Sequence, residues 1–283
     1  MPVLYSYTAM IPSILPSTGP IGVFDSGYGG LTILDKIRGL MPEYDYIYLG
    51  DSARCPYGPR SFEVVYEFTL QAVSKLFELG CPLVILACNT ASAKALRTIQ
   101  QINLPVIDAT RRVLGVIRPT AECIGEITRS RHVGILATAG TIKSESYLLE
   151  IHKLSPDIVV TGEACPMWVS LVENNEYQSE GADYFVKQHI NRLLDKDPMI
   201  DTIILGCTHY PLLLDKIRQF TPGHIRIIAQ GEYVARSLQD YLNRHPEMDA
   251  RCEKGGKCRF LTTESENKFE ESASIFLGRQ DIK

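Results

Sequence analysis

Short runs of apolar, β-branched residues alternate along the chain with longer amphipathic stretches, and this alternation predicts an α/β protein. IGVF (21–24), DYIYL (45–49), PLVILA (82–87) and PVID (105–108) predict one set of strands. A second set is predicted at HVGILA (132–137), DIVVTG (157–162), TIILG (202–206) and IRIIA (225–229). Their near-continuous apolar character is that of parallel strands covered by helices on both faces. Between the strands, 61–79 places Val64, Val65, Phe68, Ala72, Leu76 and Leu79 at helical spacing.

The two sets match in order. IGVFDS from Ile21 resembles VGILAT from Val133, 112 residues on, and Gly50-Asp51 resembles Gly162-Glu163 at the same interval. VILACNTA around Cys88 resembles IILGCTHY around Cys207, 119 residues on. One α/β unit used twice explains three ordered matches. The fold class expected is therefore two pseudosymmetric parallel-sheet α/β domains. Polar residues cluster just past the carboxyl ends of the strands, where open α/β sheets bind ligands, so the active site is expected in the cleft between the domains.

A chain of 283 residues is longer than one compact core usually requires, which agrees with two domains. The net charge is -4 and no basic stripe occurs, so a small-molecule partner is expected and nucleic acid is not. No apolar run approaches the ~20 residues of a membrane span. The first twenty residues carry four prolines and the first basic residue is Lys36, which does not suit a secretory signal. That stretch reads as an extended arm of a cytoplasmic protein. Eight cysteines are spread along the chain without a CxxC pair, so reduced thiols are expected and no metal site. Cys252 and Cys258, in a polar stretch, read as thiols of an exposed loop.

Cys88 and Cys207 stand apart from the other six. Each ends a predicted strand and opens a predicted helix, close to unsatisfied N–H groups and the positive end of a helix dipole, a placement that lowers a thiol pKa. A buried cysteine behind a strand is ordinarily a small hydrophobe. The doubled position, with Asn89-Thr90 after one thiol and Thr208-His209 after the other, favours acid/base or nucleophilic chemistry. His209 is placed to exchange a proton with Cys207, while the other five histidines read as structural. Asp25, Asp51 and Glu163 fall at strand ends, able to cap the next helix or tune the thiols. DSGYGG (25–30) lets backbone approach a ligand, but the Asp at its mouth and the absence of GxxxxGK[ST] argue against a phosphate loop.

From about residue 20 to its end, the sequence resembles the bacterial glutamate racemases of the aspartate/glutamate racemase superfamily. The resemblance is carried by DSGYGG (25–30), GDSARCPYG (50–58), CNTASA (88–93), ATAGTIKS (137–144), LVE (171–173) and GCTHYP (206–211). It implies interconversion of L- and D-glutamate without pyridoxal phosphate, other cofactor or metal, D-glutamate feeding peptidoglycan synthesis, and a homodimer. Cys88 and Cys207 are implied as the two acid/base groups, assisted by Asp25 and His209, with Asp51 and Glu173 as further catalytic acids. Ser26, Tyr57, Gly58, Asn89, Thr90, Thr138, Thr141 and Thr208 are implied as substrate-binding. It also implies a domain arrangement: arm 1–19, first domain 20–112 plus 229–283, second domain 113–228. Two stretches depart from the family's pattern. DATRRVL intervenes after PVI, and Ala229-Gln230-Gly231 replaces a DSG-like triplet. The second departure is expected to bear on the cleft edge or dimer contacts and to touch none of the site residues.

Three rivals remain. An aspartate racemase runs the same reaction on a shorter side chain. A cysteine hydrolase could use Cys207 and His209, but leaves Cys88 unexplained. A non-catalytic binding protein would also need two lobes around a cleft.

Overall fold

The computed structural model describes residues 17–278 of the chain. Residues 1–16 of the expected arm lie outside the described residues. Two all-parallel sheets organise the rest. In chain order the strands are β1 (Ile21–Asp25), β2 (Tyr46–Gly50), β3 (Leu83–Leu86), β4 (Arg112–Gly115), β5 (His132–Ala137), β6 (Val159–Ala164), β7 (Thr202–Gly206), β8 (Arg226–Ala229) and β9 (Cys258–Thr262). The first sheet runs β4-β3-β1-β2-β9 and the second β6-β5-β7-β8.

Every residue of β1, β2, β3 and β7 is buried, as parallel strands between two helical layers require. Period-two alternation sorts their side chains. Ile21, Val23, Leu83 and Ile85 join Leu31 and Ile37 on one face, whereas Phe24, Val84 and Leu86 join Val65, Val73 and Leu76 on the other. Helix Phe62–Glu78 starts at Ser61, whose hydroxyl accepts from the Val64 N–H, and buries Val65, Thr69, Ala72, Val73, Leu76 and Phe77.

The repeat is visible in the topology. With β5 set against β1, the order β4-β3-β1-β2 corresponds strand for strand to β8-β7-β5-β6, and β9 is an addition beside β2. The chain leaves the first sheet after Gly115 and the second after Ala229. Helix Gly231–Arg244 then packs Val234, Ala235, Leu238 and Leu242 into a hydrophobic cluster shared with Leu34 of the first lobe and Leu205 and Leu213 of the second. The lobes thus have a core in common.

Several sequence expectations need correction. Residues 105–108 are not a strand. Leu104–Ile107 is a helical turn with Pro105 at its start, since proline has no N–H for a ladder and its φ suits a first helical turn. The strand beside β3 is instead Arg112–Gly115. β6 begins two residues later than expected, at Val159. Cys252 is no exposed-loop thiol, being 4% exposed where Gly19 bridges to it, and Cys258 opens β9.

Candidate active site

Cys88 follows β3 and is the N-cap of helix Asn89–Lys94, its sulfur accepting the Ala91 N–H at 3.4 Å. Its thiol donates to Ser26 Oγ at 3.4 Å. Asp25, the last residue of β1, is fully buried; Oδ2 accepts from the Gly27 N–H, while Oδ1 has no hydrogen-bond partner among the described residues. The expected lowering of the Cys88 pKa by the helix start is overturned here. Burial, then the charge of Asp25, push the thiol up to about 12. A charge on Cys207 adds a smaller push in the same direction. Asp25 is itself raised, first by burial, with the neighbouring His209 acting against that.

On the other lobe Cys207 follows β7, ahead of the short helical turn Tyr210–Leu213. Its sulfur lies 3.9 Å from His209 Nδ1. His209 Nε2 is 3.0 Å from Glu173 Oε1, and that oxygen also accepts from the Cys55 thiol at 2.9 Å. Burial alone would lower the His209 pKa. Its contacts with Cys207 and Glu173 outweigh burial and raise it to about 10. Glu173 moves the opposite way, since the His209 bond and charge overcome its own burial. The ring is therefore an imidazolium at neutral pH.

The lobes meet directly. Thr90 Oγ1 lies 2.9 Å from Thr138 Oγ1 and 3.3 Å from Thr141 Oγ1, and the latter two are 3.1 Å apart. The Gly140 N–H donates to the Gly58 carbonyl at 3.0 Å. A Cβ on Gly29 would fall 2.4 Å from Thr208 Oγ1 and 2.5 Å from His209 Nδ1, so only glycine lets the DSGYGG loop lie against the second thiol's loop. Cys88 and Cys207 are 5% and 6% exposed. This is a closed cleft.

Asp51 stands one step back. Its carboxylate accepts from Tyr57 Oη, Arg54 Nε and Thr263 Oγ1, and it touches neither thiol. It holds Tyr57, a buried ring whose hydroxyl is pushed well above the usual range by burial and then by Asp51. Glu163 is committed elsewhere. It lies inside β6 and accepts from His189 Nδ1 at 2.7 Å and Lys196 Nζ at 2.6 Å, both on helix Glu180–Lys196. The apparent match of Gly50 to Gly162 is two residues out of register: Gly50 pairs with Asp25, and the corresponding pair is Ala164 with Ala137.

Sequence reasoning missed three residues here. Cys55 is one of the six cysteines without the strand-end placement of Cys88 and Cys207, yet its thiol sits on the carboxylate that holds His209. Tyr147 donates to Asn89 Oδ1 at 2.7 Å, and nothing in its local sequence signals that. Gln230 accepts from Asn89 Nδ2 at 2.8 Å. The departure at 229–231 therefore does touch a site residue, because a glutamine is long enough to reach across the lobes.

One parallel-sheet unit used twice, each copy ending its third strand on a cysteine and the DSGYGG loop packed against the loops of both, defines the class: a pseudosymmetric two-lobed α/β enzyme. The chain belongs to the Asp/Glu/Hydantoin racemase family, whose sequence pattern matches residues 32–238, and it is an amino-acid racemase. It is 40% identical over 268 residues to the glutamate racemase of Enterococcus faecalis, covering 93% of each chain. The glutamate racemase isoform of Bacillus anthracis has the same fold at a TM-score of 0.84, with 36% identity over 93% of this chain and 95% of that one. The Francisella tularensis glutamate racemase, solved with D-glutamate, matches at 0.81 with 32% identity and the same coverage.

Proposed function

We propose that this enzyme interconverts L- and D-glutamate, with Cys88 and Cys207 as the two acid/base groups on opposite faces of Cα. The observation that carries the reading is the equivalent position of the two thiols, one at the end of β3 and one at the end of β7, each with its own proton-holding neighbour. One sulfur removes the α-proton while the other delivers its proton to the opposite face, so neither has to swing around the substrate. Cys88 rests as a thiol and is the donor when Cys207 is the base. For the reverse direction its proton must go elsewhere, and Asp25, with one uncommitted buried oxygen and a raised pKa, is the acceptor at hand. In that direction His209, the imidazolium held by Glu173, gives its proton to Cys207, which delivers it to Cα.

A Cα–H is a very weak acid, and acid/base help supplies only about 10²–10⁴-fold. Orientation and a dry, preorganised site must supply much of the rest. Ser26, Asn89, Thr90, Thr138, Thr141 and Thr208 are the hydroxyl and amide groups available to hold the substrate's carboxylates. With both sulfurs nearly covered, substrate is admitted by parting the lobes and turned over after they close. D-Glutamate for peptidoglycan is the product this reading implies.

The test is racemisation of glutamate and of aspartate, followed by circular dichroism in buffer stripped of pyridoxal phosphate and metals. Wild type converts glutamate with solvent deuterium entering Cα, and Cys88→Ala and Cys207→Ala each abolish it. Full turnover by either variant would remove the two-thiol assignment.

A further inference from the structure

Two segments cross between the lobes, one at Gly115–Ile117 and one at Ala229–Gly231, and a single side chain clasps them together. Gln230 Nε2 donates to the Val116 carbonyl at 3.0 Å and to Thr120 Oγ1 at 3.1 Å. Tyr147 Oη is a third acceptor of the same –NH2, at 2.7 Å, so its two hydrogens are shared among three oxygens. Tyr147 Oη donates to Asn89 Oδ1, and Asn89 Nδ2 donates back to Gln230 Oε1. The three side chains form a closed ring in which every hydrogen bond points the same way round. All are buried: Asn89 is 2% exposed, Tyr147 and Gln230 each 3%.

The direction of that ring is imposed from the hinge. A backbone carbonyl can only accept, so Val116 forces the amide nitrogen of Gln230 toward itself and the amide oxygen toward Asn89. That oxygen in turn forces the nitrogen of Asn89 toward Gln230. Turning Asn89 over would set two carbonyl oxygens against each other in a buried site, an arrangement with a full desolvation penalty. Asn89 is the residue directly after Cys88. Its amide has two N–H groups, and only one is engaged among the described residues.

We propose that Gln230 is a positioning residue for the racemisation, fixing from the hinge the orientation in which Asn89 offers its free N–H to a substrate carboxylate beside Cys88. The proposal rests on the glutamate reading above. It ties the closed hinge to the binding-competent form of Asn89: when the crossings part, the clasp is lost and the donor is released.

The decisive measurement is a double-mutant cycle with Gln230→Leu and Asn89→Ala. Gln230→Leu raises KM for both enantiomers by at least about tenfold, with a smaller fall in kcat, because a contact made in ground and transition states alike is lost. In the Asn89→Ala background Gln230→Leu adds less than about twofold. Tyr147→Phe breaks the same ring from the other lobe, raises KM likewise, and replaces Gln230→Leu should that variant not fold. Additive effects in the cycle, or a lowered melting temperature with KM within twofold of wild type, would overturn the proposal. If the wild-type protein fails to turn over glutamate, the proposed function falls instead. The clasp is then judged by the Asn89 side-chain amide protons in ¹⁵N-labelled protein. It requires slow exchange in wild type and fast exchange in the variant, and equal rates overturn it.

Discussion

Buried His209 and partly exposed Glu173 pair across 3.0 Å, and the far nitrogen of the same imidazole lies 3.9 Å from the Cys207 sulfur. The carboxylate and the thiol thus act on the two ends of one ring. Glu173 sits on helix Trp168–Glu173, and His209 follows β7. Cys55 and the Gly29 loop of the first lobe lie against the two members, so the pair is completed only when the lobes come together.

Glu173→Gln keeps the shape of the pair and removes its charge. The His209 midpoint, followed through its ring-proton resonances, falls from about 10 toward the ordinary value of 6.5. Removing one partner of a largely buried pair destabilises the fold by about 1–3 kcal/mol. An unchanged midpoint would show that Glu173 does not set the charge of the ring.

The pair also gives stability a definite pH dependence. The folded-state pKa of His209 exceeds its unfolded value, so its contribution is complete below about pH 6.5 and is lost as pH rises toward 10. Glu173 is lowered from 4.5, so its share is present above that value and lost on acidification. Urea denaturation across pH 4 to 10 should give a stability maximum that His209→Asn flattens on the alkaline side. An alkaline slope unchanged in the variant would count against the pair.

Asp25→Asn removes the charge that, after burial, does most to hold Cys88 up. The pH at which Cys88 is alkylated by iodoacetamide, mapped by peptide mass spectrometry, should drop by about one unit or more. Racemisation should fall by about 10²-fold or more, because the proton of Cys88 loses its acceptor. Alkylation at the wild-type pH would mean that Asp25 does not act on this thiol.

Gly140→Ala drives a methyl group to 2.6 Å from the Gly58 carbonyl and 2.8 Å from Lys94 Nζ, across the interlobe contact. The lobes then cannot close fully. A fall in kcat/KM of about tenfold or more is expected, with a small change in melting temperature, since a misplacement near 1 Å costs about 10²-fold in an oriented reaction. Small-angle scattering should report a more open form. Wild-type kinetics would show that closure at this contact is not needed.

The local pattern determined most of the framework. Apolar runs of four to six residues placed seven of the eight expected strands, and the recurrence of a cysteine at a strand end singled out Cys88 and Cys207 before any fold was known. These are short-range properties: strand burial and helix starts are written in neighbouring residues. Only the tertiary structure decided what the polar groups meet. Glu163 reads like a rim acid but turns into a helix face, and Cys55 reads like filler but lies on the acid that holds His209. Gln230 reaches an asparagine 141 residues away. Hydrogen bonds and burial act through space, so whether a thiol is raised or lowered, and which amide faces a substrate, is settled by neighbours that the chain brings together only on folding.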